Sequence, residues 1–204
     1  MMNQLEKIAE KLRERGFDAA VFATKEDASA YILSDMPAGA QVAIGGSMTV
    51  KEMDLQTKLR ENGHEVLWHW EAAPAERPAL LHKAMNAPVY LASANAITTD
   101  GLMVQIDGTG NRVAALCYGP STVYVIIGRN KIVEGGYQQA VKRIKSVACP
   151  SNARRLNLDT PCAKDGNCNV SACKASMCKM FVAFELAPNG KRTQVVLVNE
   201  DLGY

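Results

Sequence analysis

The sequence lacks the charge imbalance and the long apolar runs that mark two large classes of protein. Its 23 basic and 21 acidic residues give a formal net charge of +2 over 204 residues. A nucleic-acid-binding surface needs a concentrated basic patch, and a transmembrane helix needs about 20 consecutive apolar residues. The N-terminus also lacks the apolar segment of a secretory signal. These absences predict a cytoplasmic protein without nucleic-acid binding or membrane insertion.

Familiar signatures of catalysis are missing as well. The sequence contains no G-x-x-x-x-G-K-[ST] or G-x-G-x-x-G motif, and no nucleophile elbow, zincin or protein-kinase motif. The three histidines, His64, His69 and His82, belong to no catalytic pattern, so we predict that they are structural or exposed. Internal repeats and long linkers are also absent, which predicts a single domain over residues 1–204.

Alternating helical and strand patterns fill the first half of the chain. Short apolar runs between polar residues predict buried strands, and apolar residues at helical spacing predict the helices between them. The predicted strands are 19–23, 41–44, 64–68 and 89–92, and the predicted helices are 2–16, 25–33, about 50–62 and about 75–86. This alternation is typical of an α/β fold with a mainly parallel sheet flanked by helices.

The second half departs from this alternation. Three strands are predicted in quick succession, at 102–106, 113–118 and 123–127, and their short glycine-rich links favour antiparallel hairpins. A helix at about 134–147 and a last strand at 193–198 complete the pattern, with residues 150–180 forming a cysteine-rich lobe before that strand.

A glycine-rich loop follows the second predicted strand and precedes a helix. Gly45, Gly46, Ser47 and Thr49 would present backbone N–H groups and hydroxyls beside a helix N-terminus, which is a favourable place for an anion. The alternative is that Ser47 or Thr49 only caps the helix. We predict an anionic ligand at this loop.

Three further polar loops follow apolar segments, where α/β proteins place ligands. They contribute Asn95, Asn111, Asn130 and Lys131 as predicted ligand-binding residues. Asp100 and Asp107 are predicted as a catalytic acid–base pair. The alternative for these loops is ordinary turn chemistry, because Asp, Asn and Gly are default turn residues.

Cysteines are concentrated near the end of the chain. Cys162, Cys168, Cys173 and Cys178 follow a C-x5-C-x4-C-x4-C spacing that lacks a C-x-x-C hook. Because cytoplasmic thiols stay reduced, four thiolates predict an iron–sulfur cluster or a zinc ion. Reduced thiols packed in a lobe, and disulfides, remain open alternatives. Cys117 lies in an apolar run and is predicted to be a core residue.

The polar loops occur in an order that resembles the LUD (lactate-utilisation) domain family from about residue 10 onward. The matching segments are 45–49 (GGSMT), 93–98 (SANAIT), 100–101 (DG), 106–112 (IDGTGNR), 128–132 (GRNKI) and 150–154 (PSNAR). This resemblance implies a fold like that of the NagB/RpiA/CoA-transferase group. The tail of the chain also resembles that of stand-alone members of the family, which carries Pro-Cys, Gly-x-Cys-x-x-Cys and a last Cys. Here Ser171 occupies the third cysteine position and Cys173 lies two residues later.

Three functions follow from these observations. The resemblance implies a protein of lactate or hydroxy-acid redox metabolism, with a cluster or zinc in its lobe and redox partner proteins, since some family members belong to an iron–sulfur complex that oxidises L-lactate to pyruvate. The first alternative is an isomerase or CoA-transferase-like enzyme that binds a phosphate or CoA at 45–49. The second is a non-catalytic sensor or scaffold.

Overall fold

A parallel six-stranded sheet forms the centre of the computed structural model, which describes residues 1–204. The strands are β1 (Asp18–Phe22), β2 (Gln41–Ile44), β3 (Glu65–Trp68), β4 (Val89–Ala92), β5 (Ala96–Thr98), β6 (Met103–Asp107), β7 (Thr122–Gly128), β8 (Ile132–Val133), β9 (Met180–Phe184) and β10 (Arg192–Val198). The helices are α1 (Met2–Glu14), α2 (Lys25–Asp35), α3 (Met48–Glu52), α4 (Leu55–Glu61), α5 (Arg77–Ala84), α6 (Asn111–Cys117), α7 (Tyr137–Arg143), α8 (Cys149–Arg155) and α9 (Pro161–Asp165).

The central sheet has the order β1-β10-β7-β4-β2-β3, and every neighbouring pair is parallel. Helices α1, α5 and α6 cover one face, and α2, α3 and α4 cover the other. Strands buried on both faces read as continuous apolar runs, which is why the sequence reveals them. The α/β prediction with a mainly parallel sheet flanked by helices is confirmed.

A second, smaller sheet has four strands in the order β8-β5-β6-β9. Its residues Ile97, Met103 and Phe184 join the core on the α1 face of the central sheet. Its opposite face packs Val104 and Ile106 against α7 and the turn that follows it. The small sheet therefore shares a core with the large one.

A long helical segment runs from α7 into α8 through a π-helical turn at Ile144–Ala148. Pro150 is the second residue of α8, and a proline inside a regular helix clashes with the carbonyl four residues earlier. That carbonyl belongs to Ser146, inside the π turn, so the departure from regular helix coincides with the position where Pro150 would disturb it. Thr160 then caps α9 by accepting a hydrogen bond from the Ala163 N–H, and residues 166–179 contain no helix or strand.

Three predictions for the second half are wrong. The segment predicted as a strand at 113–118 is helix α6, whose Val113 and Leu116 face the core one turn apart. A short apolar run fits a buried helix as well as a strand. As a result β7 joins the parallel sheet rather than a hairpin, and Cys117 is exposed rather than in the core.

None of the helices combines the length and the apolar composition that crossing a membrane requires.

Candidate functional site

A pocket of about 300 Å³ opens at the carboxyl ends of the parallel strands. Loops that follow β2, β3, β4 and β7 line it, together with the end of β6, helix α8 and the residues before β9. In open α/β sheets this end of the strands is where ligands bind. The lining includes Gly46, Ser47, Met48, His69, Trp70, Ser93, Asn95, Ile106, Asp107, Asn111, Arg112, Lys131, Cys149, Asn152, Arg155, Leu156, Met177, Cys178 and Tyr204.

Lys131 lines the pocket and is almost completely buried, with 3% exposure of the residue. It donates hydrogen bonds to the hydroxyls of Thr49 at 2.7 Å and Ser93 at 2.8 Å. Neither partner carries a charge. Burial, with smaller contributions from the cations of Arg143 and Arg112, lowers the pKa of Lys131 to about 7, whereas Glu52 opposes this shift.

Two partly buried arginines add to this positive charge. Arg112 donates to Asn95 Oδ1 at 2.8 Å and to the Ile106 carbonyl at 2.6 Å, and its Nε lies 3.7 Å from an Asp107 oxygen. Arg143 donates only to the carbonyl oxygens of Asn95 and Asn130. Burial lowers the pKa of Arg143 to about 10, so it stays charged near neutral pH.

Asp107 is the one carboxylate that lines the pocket. Its Oδ1 accepts the backbone N–H groups of Thr109 and Gly110, and its Oδ2 accepts that of Val113 at 3.3 Å. Asp107 therefore fixes the turn that begins α6 and holds Arg112. Both carboxylate oxygens of Asp107 accept backbone hydrogen bonds, so neither is free for acid–base chemistry. The catalytic role of Asp107 remains a prediction.

Asp100 lies elsewhere and does not line the pocket. It occupies the turn between β5 and β6, accepts a hydrogen bond from the Thr98 hydroxyl, and forms an ion pair with Arg15 at 3.0 Å. Gly101, the next residue, has φ +87. The predicted pairing of Asp100 with Asp107 is thus corrected: turn geometry and the Arg15 ion pair hold Asp100 away from the pocket that Asp107 lines.

The predicted ligand-binding residues divide into a lining set and a supporting set. Gly46, Ser47, Asn95, Asn111 and Lys131 line the pocket. The supporting set consists of Gly45, Thr49 and Asn130, which do not line it.

Each supporting residue stabilises a neighbour of the pocket. The Gly45 carbonyl accepts a hydrogen bond from the Trp68 indole at 3.3 Å. Thr49 orients Lys131, and Asn130 binds the chain after β10 by accepting from the Leu202 N–H and donating to the Gly203 carbonyl. Ser47 also caps α3 by accepting from the Val50 N–H at 3.2 Å, so the capping alternative holds as well.

An aromatic and cationic wall that the sequence did not predict closes another side. The Arg155 guanidinium lies 4.4 Å from the centre of the Trp70 ring and donates to the Tyr204 hydroxyl at 2.9 Å. Tyr204 in turn donates to Asn152 Oδ1 at 2.9 Å. Burial raises the pKa of Tyr204, so its hydroxyl stays protonated. His69, expected to be structural or exposed, is half-buried beside this wall, and burial lowers its pKa.

The four cysteines predicted as metal ligands are dispersed. Cys162 is buried and its sulfur lies 3.4 Å from the Thr160 hydroxyl, Cys168 is exposed and Cys173 is half-buried. The chain contains no group of three or more His, Cys, Asp or Glu side chains arranged to hold a metal ion. An iron–sulfur cluster or a structural zinc needs about four ligands, so this arrangement does not fit either, and the metal site remains a prediction.

Cys178 instead contacts a cysteine that was not in the predicted set. Its sulfur lies 3.3 Å from that of Cys149, the first residue of α8, and both line the pocket. Their hydrogen bond, together with the ammonium of Lys145, lowers the pKa of the Cys178 thiol, and the same hydrogen bond raises that of Cys149.

A family model, described as the LUD domain, matches residues 5–198. The chain belongs to the LUD domain family. A crystal structure of a DUF162 family protein from Deinococcus radiodurans is similar to this LUD-domain chain, with 12% identity, a TM-score of 0.54 and 96% coverage of both chains. That similarity supports the fold alone.

A crystal structure of eIF2B beta from Chaetomium thermophilum is also similar to the LUD-domain chain, with 14% identity and a TM-score of 0.39. The match covers 64% of this chain and 47% of that one. No curated protein matches the sequence.

Proposed function

We propose that this LUD-domain protein binds a small organic carboxylate of the hydroxy-acid or oxo-acid class in the pocket at the carboxyl ends of the strands. The single observation that carries the proposal is Lys131, a buried cation with only hydroxyl groups as hydrogen-bond partners. A buried charge without a counterion is costly. A bound anion would supply the missing negative charge.

The neighbours of Lys131 support the same conclusion. Arg112 lines the pocket and Arg143 lies behind Asn95, and they add two partly buried positive charges, whereas Asp107 is the one acidic side chain in the lining. An excess of fixed positive charge in a concave site concentrates anions. A planar guanidinium also suits a carboxylate, because it offers paired N–H donors.

The remaining lining favours an organic ligand over a bare inorganic anion. Apolar side chains contribute much of the wall, and those in contact with the cavity include Met48, Trp70, Ile106, Leu156 and Met177. A volume of about 300 Å³ suits a small metabolite and is too small to enclose a whole CoA. The resemblance of the chain to the LUD (lactate-utilisation) family makes a 2-hydroxy acid the first candidate. The carboxylate of this acid would bind near Lys131 and Arg112.

Ligand-dependent stabilisation tests this proposal. Lactate, pyruvate and inorganic phosphate are each titrated while the melting temperature is recorded at pH 6.5. We expect an organic acid to raise the melting temperature more than phosphate does, with about 2.7 kcal/mol of stabilisation at 100 times the dissociation constant. Because the pKa of Lys131 is about 7, the affinity should fall as the pH rises to 8.5.

Two variants provide the matched comparison. Lys131→Met removes the buried ammonium and should abolish the stabilisation. Lys51→Met removes an exposed lysine from the helix next to the same loop and should retain it. Equal stabilisation of Lys131→Met and the wild type, or no response to any of the organic acids, would contradict the proposal.

A further inference from the structure

Two cysteines that are distant in sequence meet at the edge of the pocket. Cys149 begins α8 immediately after the π turn, and Cys178 lies two residues before β9, so a separation of 29 residues brings their sulfurs to 3.3 Å. Two contacts hold the second cysteine in place. The Lys179 N–H donates to the Asp107 carbonyl at 3.0 Å, and Asn152 of α8 donates to the Met177 sulfur at 3.1 Å.

The two sulfurs differ in accessibility. Cys149 is 3% exposed, whereas Cys178 is half-buried, and both face the pocket. Cys178 is therefore the sulfur that a small molecule in the pocket reaches first.

We infer that Cys149 and Cys178 are a redox-active dithiol, which closes to an intramolecular disulfide when a small disulfide enters the pocket. This site is additional to the proposed carboxylate binding, because it depends on the two sulfurs and needs no bound carboxylate. It also gives a different role to Cys178, which the cysteine spacing predicts as a metal ligand.

The reaction proceeds by two thiol–disulfide exchanges. Cys178 first loses its proton to solvent, and its thiolate attacks one sulfur of R–S–S–R. A mixed disulfide forms between Cys178 and one R–S group, the original S–S bond breaks, and the other group leaves as R–S⁻, which takes up a proton from solvent. Cys149 then loses its proton and attacks the Cys178 sulfur of the mixed disulfide, and the second R–S⁻ leaves. Two electrons pass from the protein dithiol to the small disulfide, which becomes two thiols.

The surrounding structure allows the sulfurs to approach bonding distance. They must close from 3.3 Å to about 2.05 Å. Cys149 is fixed on helix α8, whereas Cys178 lies in segment 166–179, which contains no helix or strand. We therefore expect Cys178 to move toward Cys149 when the disulfide forms.

The positive charge of the pocket selects among small disulfides of the same size. Dithiodipropionate carries a carboxylate at each end, and cystamine carries an ammonium at each end. Arg112, Lys131 and Arg155 all line the cavity, so the anionic reagent should be concentrated near Cys178 and the cationic one excluded. We expect dithiodipropionate to react at least about ten times faster at low ionic strength, a difference of about 1.4 kcal/mol.

Peptide mapping of anaerobically purified protein tests the site. After incubation with dithiodipropionate and alkylation of free thiols, mass spectrometry should show a Cys149–Cys178 disulfide. Cys149→Ser should stop at a mixed disulfide on Cys178, and Cys178→Ser should react far more slowly at Cys149. Cys162→Ser, which removes the buried cysteine nearby, should still close the Cys149–Cys178 bond like the wild type.

Several outcomes would overturn the inference. These are a disulfide between other cysteines, such as Cys168 and Cys173, an unmodified Cys178 in Cys149→Ser, or equal rates with the two reagents. Stoichiometric iron or zinc that protects the thiols and is lost in Cys178→Ser would do so as well. Because neither lactate nor pyruvate is added in the mapping experiment, its result does not depend on whether either of them binds.

Discussion

The ammonium of Lys131 makes the stability of the protein depend on pH in a predictable way. Its pKa is about 7 in the folded chain and 10.5 for an ordinary lysine. Between these values the unfolded chain holds a proton that the folded chain has released, so the free energy of unfolding rises with pH. Below pH 7 the lysine is charged in both states, and the full cost of burying that charge remains.

Replacement of Lys131 by methionine should therefore raise stability most at low pH. We expect Lys131→Met to exceed the wild type in unfolding free energy at pH 6.5, and the gap to narrow by up to about 1.4 kcal/mol per pH unit toward pH 9. Urea titrations at several pH values measure this gap. The exposed Lys51→Met serves as the control and should show no such trend, whereas a constant gap for Lys131→Met would show that the buried lysine does not titrate in this range.

Single residues also show what sequence reasoning can find in a site. Ser47, Asn95 and Lys131 were predicted because each follows a recognisable strand, and parallel strands bring their carboxyl ends together. Arg155 is the last residue of α8 and Tyr204 follows the last strand, and they reach the pocket only through the packing of α8 against the chain after β10. His69 and Trp70 directly follow β3, so the same strand-end rule would have identified them.

At the level of elements, helix α6 depends on a side chain that precedes it. Asp107 accepts three backbone N–H groups in the turn that begins this helix. Loss of a capping side chain costs about 1–2 kcal/mol. Asp107→Ala should therefore lower the free energy of unfolding by roughly that amount in urea titrations.

Asp107→Asn separates the role of shape from that of charge. Its amide oxygen preserves part of the capping, so we expect a smaller loss of stability than in Asp107→Ala. Because the variant removes a negative charge near Arg112, anion-dependent stabilisation should increase in the same protein. Equal destabilisation by the two substitutions would show that the carboxylate charge, rather than the acceptor geometry, stabilises the turn.

The same element shows why local patterns were insufficient. Residues 113–118 contain a short apolar run that is compatible with either a strand or a helix. The helix is selected by the turn before it, where Asp107 accepts the Gly110 N–H and Gly110 adopts φ +91. Strands β5 and β9 were missed for a related reason, because each pairs with β6 and that pairing is a tertiary contact.

For the whole molecule, the shared core predicts a single unfolding transition. Ile97, Met103 and Phe184 of the small sheet pack with residues of the central sheet, so neither sheet keeps its core alone. We expect tryptophan fluorescence, which reports Trp68 and Trp70 near β3, to change at the same urea concentration as far-ultraviolet circular dichroism. Two separated transitions would contradict the prediction of a single domain over residues 1–204.

The strand order was beyond reach of the local pattern. Short apolar runs identify parallel strands, but they do not specify that β10 enters between β1 and β7. Insertion of the last strand depends on matching surfaces from distant parts of the chain. The resemblance to the family, rather than the periodicity, pointed to the kind of fold as a whole.

That insertion has a consequence for how the chain is made. β1 has no sheet neighbour other than β10, and Asp18 pairs with Arg192 across 174 residues at 2.7 Å. On the ribosome, β1 therefore emerges long before β10 has been synthesised. β7 can pair with β4, but its other edge stays unpaired until β10 is present. An unpaired strand edge readily pairs with other chains, so the nascent protein is prone to aggregation during this interval. The interval ends only when β10 is released and pairs with β1 on one side and β7 on the other.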